Sequence, residues 1–460
     1  MIKNTVPTPI RSTNTAQPAR ISPVPFLWDL RRDPLKLMTD LAHSYGDLAH
    51  VRVANRDLVL VSHPDLIHEL LVINHRQLIK GPALRRARRV LGNGLLTNEG
   101  AEHLNRRRLL QPAFHRAKVA AYGAAMVEHA ARVSHAWQHG QELDLSDQMA
   151  ALTLAIAGQT MFGADVSNDA DAVGHALGDL MNLFGLLTMP FGEWLMRLPI
   201  PASRRLRAAQ ERLDLVIDRM IAERRASDHH EDMLAMLLAA HDQDGTQLSD
   251  QEVRDEALTL FLAGHETTAN ALAWTWYLLA LHPAAEQRMH TELAKVLQGR
   301  PASSADLDKL PYTRAVFSEA LRLRPPAWVV GRETTAPITL GGQPIPAGAT
   351  ILASQWVTHR DGRFFPQPER FMPERWLSEN PQRPRLAFFP FGAGPRMCIG
   401  ESFAWMEGVL VLATIAQHWQ FRLTRPDRIT PQPGVTLRIR GGLPMQAQRR
   451  NDYHPASAGL

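Results

Sequence analysis

Phe391-Gly392-Ala393-Gly394-Pro395-Arg396-Met397-Cys398-Ile399-Gly400 is the stretch on which the fold turns. It holds the one cysteine of the chain. A single thiol forms no internal disulfide, no cysteine-rich zinc site and no iron–sulfur cluster. The plain alternative is a small buried hydrophobe without chemistry, but the setting argues otherwise. The segment is rich in glycine and opens an apolar helical run from about Gly400 to Trp419. A sulfur just before a helix start lies near unpaired backbone N–H groups and the positive end of the helix dipole, and both favour thiolate over thiol. Arg396 adds a nearby cation, and glycine lets backbone approach a flat ligand closely. The chemistry favoured is a thiolate meeting a metal or an electrophile.

Working outward, Ser249-Asp250-Gln251-Glu252 is a capping box. Helical sequence then runs to Leu281 and stops at Pro283, roughly 30 residues or roughly 45 Å. Leu258, Leu260, Phe261, Leu262, Ala269, Leu272 and Trp274 make it apolar around most of its circumference, so it should be buried. Its middle nevertheless reads Gly264-His265-Glu266-Thr267-Thr268. Such conflicts between polarity and burial concentrate at functional sites; the plain alternative is threonine hydroxyls bonding back to carbonyls one turn earlier. Further along, Glu319 and Arg322 stand at i and i+3 on the apolar helical run Val316–Leu323. An exposed pair of this kind is worth about 0–1 kcal/mol. A buried one needs more hydrogen bonds, and Arg375 is a candidate third member.

Phe391, Gly394, Arg396, Cys398 and Gly400 complete the pattern F-x-x-G-x-R-x-C-x-G, which resembles the haem-ligand loop of the cytochrome P-450 family, soluble bacterial type. Three more segments resemble that family's motifs in order: Ala263-Gly264-His265-Glu266-Thr267-Thr268, Glu319-Ala320-Leu321-Arg322, and Phe371-Met372-Pro373-Glu374-Arg375-Trp376. His103 to Arg107 with Pro112-Ala113-Phe114 resembles the haem-edge helix. The likeness spans about Pro25 to Met445. It implies a mainly α fold with a smaller β region, the single large triangular haem-thiolate monooxygenase fold, and haem b with Cys398 as axial ligand of the iron. It implies cofactor contacts from Phe391, Gly392 and Gly400, and propionate partners at His103, Arg107, Arg332 and Arg396; His103 stands where many relatives have Trp. It also implies a structural triad, Glu319–Arg322–Arg375.

Thiolate ligation favours O–O cleavage, which needs protons at the distal oxygen. The acid–alcohol pair Glu266 and Thr267 suits that catalytic role, and Gly264 leaves room for dioxygen. The family's variable contact segments map to Leu84–Leu96, Leu177–Leu198, Phe261–Thr268, Pro326–Val330 and Gly441–Met445, with Leu95, Ala263, Gly264, Val329 and Val330 expected in the substrate pocket. Their apolar character points to a hydrophobic small molecule: a terpenoid first, otherwise a fatty acyl chain or a steroid-like skeleton. Arg85, Arg86, Arg88 and Arg89 are the cations available for a fatty-acid carboxylate.

The remaining sequence sets limits. At 460 residues with 45% hydrophobic and 21% charged residues the composition is ordinary globular. A formal charge of +5 on so long a chain does not argue for nucleic acid. No clean apolar run reaches about 18 residues, so no transmembrane anchor is expected, and Met1–Arg20 lacks the apolar middle of a secretory signal. A cytoplasmic monomer is expected, with residues 1–24 a disordered arm, 25–446 one domain and 447–460 a frayed tail. Pro34–Tyr45 reads as a helix capped by Asp33, and Leu48–Val61 as a hairpin broken at Asn55-Arg56-Asp57. No fused reductase or strand-linked G-x-G-x-x-G motif is visible, so electrons should come from a separate ferredoxin or flavodoxin with its reductase. Arg383, Arg385 and Arg396 suit an acidic partner. Three other classes fit less well. A zinc protease fails because the second histidine of H-E-x-x-H is Ala269. A non-catalytic haem gas sensor has no need of Glu266-Thr267, and a peroxide-driven haem-thiolate enzyme would replace that pair.

Overall fold

Asp33 accepts a hydrogen bond from Lys36 N at 3.0 Å and Pro34 fills the first helical position, so the helix Pro34–Tyr45 begins where its capping residue dictates. The computed structural model describes residues 9–11, 18–163, 173–174, 176–180, 198, 200–226, 232–240, 247–378 and 383–450. Of the expected substrate segment Leu177–Leu198, residues 181–197 lie outside the described residues.

By its internal packing the chain divides into two compact units. The first comprises Met1–Arg86, Leu321–Arg370 and Ser378–Cys398; the second comprises Ala87–Ala320, Phe371–Leu377 and Ile399–Leu460. The reason lies in strand pairing between distant segments. In the first unit a six-stranded sheet runs Ala19–Ile21, Leu48–Val53, Arg56–Val61, Thr350–Ala353, Val330–Thr334, Leu78–Lys80. Its inward face, with Val59, Val61, Ile351 and Ala353, packs on Leu66, Ile67, Leu70 and Leu71.

Three expectations need correction. The Leu48–Val61 hairpin turns at Ala54-Asn55, with Ala54 at φ 53°, while Arg56 and Asp57 are already paired in the strand. The arm does not reach residue 24: Ala19–Ile21 pairs in parallel with Val51–Val53, and Pro23–Arg32 is helical. An open sheet edge offers main-chain groups that the preceding segment can satisfy. Likewise Ala447–Arg449 is not frayed but pairs with Trp419–Phe421. Residues 1–8, 12–17 and 451–460 lie outside the described residues.

The second unit is mostly helical. Its axis is the helix Asp250–Leu281, whose Ser249–Glu252 capping box is formed in both directions of the reciprocal pair. It packs against the helix Leu145–Phe162, while Glu401–Ala416 packs against Arg116–His135. Small sheets complete the unit: Trp419–Leu423, Pro444–Arg449 and Glu142–Asp144 form one, and the hairpin Pro431–Pro433/Leu437–Ile439 another. Among the described helices none is long and apolar enough to cross a membrane.

Candidate active site

In the first unit the cysteine segment is curled by its own main chain. Gly392 N donates to Phe389 O (2.9 Å), Met397 N to Gly394 O (3.0 Å) and Cys398 N to Phe391 O (3.0 Å). Gly394 has φ +72°, and a Cβ there would overlap the carbonyl oxygen of Leu71, so glycine is required. Cys398 is free of disulfide and exposed, unlike a core-filling thiol. Phe391, Gly392 and Arg396 are half-buried beside it in sequence, and Gly400 is the N-cap of Glu401–Ala416. Arg332, on the strand Val330–Thr334, is buried and donates Nη1–H to Gly331 O at 2.9 Å. Val329 and Val330 are half-buried.

In the second unit, Ala263 alone is exposed between Glu252 and Ala280 of the long helix, and Gly264 and Thr267 beside it are half-buried. An otherwise buried helix thus opens at the motif. Thr267 Oγ1 donates to Ala263 O at 2.7 Å, the back-bond that is the plain alternative on sequence grounds. A Cβ on Gly264 would lie 2.9 Å from Met161 Cε. The glycine thus allows close packing on Leu145–Phe162. His265 is buried, and neither ring nitrogen has a hydrogen-bond partner. Burial lowers its pKa to about 4, against a raising effect of Glu266, so the ring is neutral.

Glu266 is buried and held from a distance. Its Oε1 accepts from Arg438 Nε (2.9 Å) and from the Thr436 hydroxyl, while its Oε2 is buried with no hydrogen-bond partner. Asn270 Nδ2 donates to Glu266 O (2.9 Å) and Thr436 Oγ1 (3.2 Å). Sequence reasoning missed Thr436 and Arg438, which carry no local signal. It also missed Glu407, fully buried on Glu401–Ala416, whose carboxyl burial pushes up to about 8, the nearby Thr268 hydroxyl opposing the shift. His103 is buried and Arg107 half-buried on the helix Gly100–Leu110. Leu95 is buried, its N–H donated to Glu256 Oε2 at 2.9 Å.

Glu319 and Arg375 do come together: Glu319 Oε1 accepts from Arg375 Nε (2.9 Å) and Met372 N (3.0 Å), and Oε2 from Trp376 Nε1 (2.8 Å). Arg322 donates to the carbonyls of His359 (2.8 Å), Pro368 (2.7 Å) and Arg370 (3.2 Å). A buried carboxylate and a buried guanidinium each need several partners, and here each has them within its own unit.

The model of the cytochrome P-450 family matches residues 20–443. The chain belongs to that family. Its relatives include cyclooctatin synthase of Streptomyces melanosporofaciens, 41% identical over 89% of this chain and 90% of that one. Cyclooctat-9-en-7-ol 5-monooxygenase of the same organism is 40% identical over 89% and 88%, and pentalenene oxygenase of Streptomyces avermitilis 34% over 92% and 92%. This cytochrome P-450 is a haem-thiolate monooxygenase. Its residues fit the haem that the family carries: an exposed single thiol, a turn where only glycine fits, and, in the other unit, a buried helix that opens beside a hydroxyl.

Proposed function

We propose that the protein hydroxylates a terpenoid, using haem b ligated by Cys398 Sγ and electrons from a separate ferredoxin or flavodoxin with its reductase. The observation that carries this reading is near-full-length similarity, at 40% and 34% identity, to relatives named for cyclooctat-9-en-7-ol and pentalenene. Bound haem supplies the activation of dioxygen that side chains cannot perform. Cys398 provides the thiolate, and Arg332, Arg396, His103 and Arg107 the propionate partners, with Phe391, Gly392 and Gly400 shaping the thiolate loop. Leu95, Ala263, Val329 and Val330 give the substrate apolar surface.

Thr267 and Glu266 handle protons. With its own hydrogen directed at Ala263 O, Thr267 Oγ1 presents an acceptor lone pair at the opening. Handing its hydrogen outward breaks a bond whose net contribution is about 1 kcal/mol. On Glu266, Oε1 is fixed by Arg438 and Thr436, so Oε2 is the atom at which a proton is taken up and released. Arg383, Arg385 and Arg396 suit an acidic electron donor. The working form is taken as a cytoplasmic monomer.

A fatty acid is the second reading, its carboxylate meeting the Arg85–Arg89 cluster; Arg85 is already paired with Glu333 at 2.6 Å, which weakens it. Titrating purified holoenzyme with pentalenene, cyclooctat-9-en-7-ol and palmitate and recording the haem spin-state shift tests the assignment. A shift with a terpenoid and none with palmitate is expected; the reverse overturns it. Turnover driven by NADPH and partner proteins, and absent with peroxide alone, sets aside the gas-sensor and peroxide-driven readings.

A further inference from the structure

The loop between the helices Pro82–Leu91 and Gly100–Leu110 is tied to the long helix by two adjacent acids. Asp255 Oδ2 accepts from Asn93 N at 2.6 Å, and Glu256 Oε2 from Leu95 N at 2.9 Å. Both acids are buried, Glu256 completely. Carboxylate-to-amide bonds are stronger than neutral ones, and here they join the loop to residues 162 and 161 positions away. The acids are themselves braced: Gln251 Nε2 donates to Asp255 Oδ1 at 2.7 Å, and Arg106 Nε stands 3.5 Å from Glu256 Oε1.

The loop is also shaped to lie flat on the helix. Gly92 has φ +73°, and a Cβ there would overlap the Asp255 carboxylate; one on Gly94 would overlap the Thr259 hydroxyl. Thr97 closes the loop on itself, Oγ1 donating to Gly92 O at 2.6 Å and N to Gly94 O at 2.9 Å. No side chain on either glycine is compatible with this contact.

The position along the helix matters. At 3.6 residues per turn, Glu256, Leu260, Ala263 and Thr267 fall on one stripe, with Glu256 about three turns or roughly 16 Å before Thr267. The clamped loop therefore lies on the same face of the helix as the opening at Ala263 and Thr267.

We propose that Asp255 and Glu256 are positioning residues for substrate fit: by clamping residues 92–98 they hold Leu95 as a fixed apolar wall at the N-terminal side of the Ala263–Thr267 opening. This deepens the monooxygenase reading and rests on it. Neither acid touches substrate; each acts through the loop it holds.

The experiment uses full-length holoenzyme and the variants Glu256→Ala, Leu95→Ala and the double variant. Two readouts are taken. Hydrogen–deuterium exchange of peptides covering Gly92–Asn98 reports the clamp without any ligand. The ratio of dissociation constants for 4-phenylimidazole and imidazole, read from the haem absorption, reports the wall, because only the larger azole reaches beyond the iron. Glu256→Ala should speed exchange at Leu95 about tenfold, the change in an opening equilibrium that one buried charge-assisted hydrogen bond supports. It should also change the azole ratio several-fold. Leu95→Ala should change the ratio alone, and in the double variant the two effects should not add, since one acts through the other. Additive effects, or an unchanged azole ratio in Glu256→Ala, overturn the proposal. If Glu256→Ala does not accumulate, Gly94→Ala lifts the loop without removing an acid and carries the same expectations. A wild-type protein without the thiolate-type ferrous–CO band would overturn the haem reading instead, and the exchange data would still judge the clamp.

Discussion

Glu266 Oε1 accepts a hydrogen bond from Arg438 Nε at 2.9 Å, joining the middle of the longest helix to a hairpin strand near the end of the chain. The carboxylate is buried and the guanidinium about a quarter exposed. Arg438→Ala should cost about 1–3 kcal/mol, since the acid loses one of its two side-chain donors while Thr436 remains. It should also reduce product formed per NADPH oxidised, because the acid is no longer held in place. Urea unfolding and a coupling assay check both; a variant with wild-type coupling would mean the ion pair serves stability alone.

Thr267→Ala removes the hydroxyl at the opening and its back-bond to Ala263 O. Haem content should stay unchanged while product per NADPH falls several-fold, and Thr267→Ser should restore most of it. Unchanged coupling in the alanine variant would refute the proton-handling role.

Cys398→His keeps a metal-binding side chain at the exposed loop position. The variant should retain some haem but lose the red-shifted ferrous–CO absorption that thiolate ligation produces. Survival of that absorption would refute the assignment of the axial thiolate to Cys398.

Glu407 gives a pH-dependent stability of definite sign. Burial raises its folded pKa to about 8, against an unfolded value of about 4.3. The folded state therefore keeps a proton that the unfolded chain releases. Stability is fully present below about pH 4.3 and is lost as pH rises towards 8, by up to about 1.4 kcal/mol per pH unit from this group. Glu407→Gln removes that slope, so the variant should gain on the parent between about pH 5 and pH 8. Urea midpoints across that range test it; parallel curves for the two proteins would count against it.

Two glycines should respond differently to alanine. At Gly394 a Cβ overlaps the carbonyl of Leu71 at positive φ, so Gly394→Ala should cost about 1–2 kcal/mol from the backbone alone, with further loss from the overlap, and purify with little haem. At Gly264 the neighbour is the mobile end of Met161, which can move aside; Gly264→Ala should stay within about 1 kcal/mol of the parent. Unfolding midpoints and haem absorbance per protein distinguish the two.

Local chemistry was legible in the sequence. The capping box at Ser249, the helix running to Leu281, the Asp33-capped helix and the turn before Cys398 all depend on neighbours within a few residues, which set backbone propensity and hydrogen bonding directly. The motif spacing also revealed the family. Tertiary structure alone decided which partners each functional side chain has. Arg438 and Thr436 for Glu266, Trp376 for Glu319, the Asp255–Glu256 hold on residues 93–95 and the packing of Gly264 on Met161 all join positions far apart in the chain. A sequence states which donors and acceptors exist. Which of them meet depends on how helices and strands pack to satisfy every buried polar group at once.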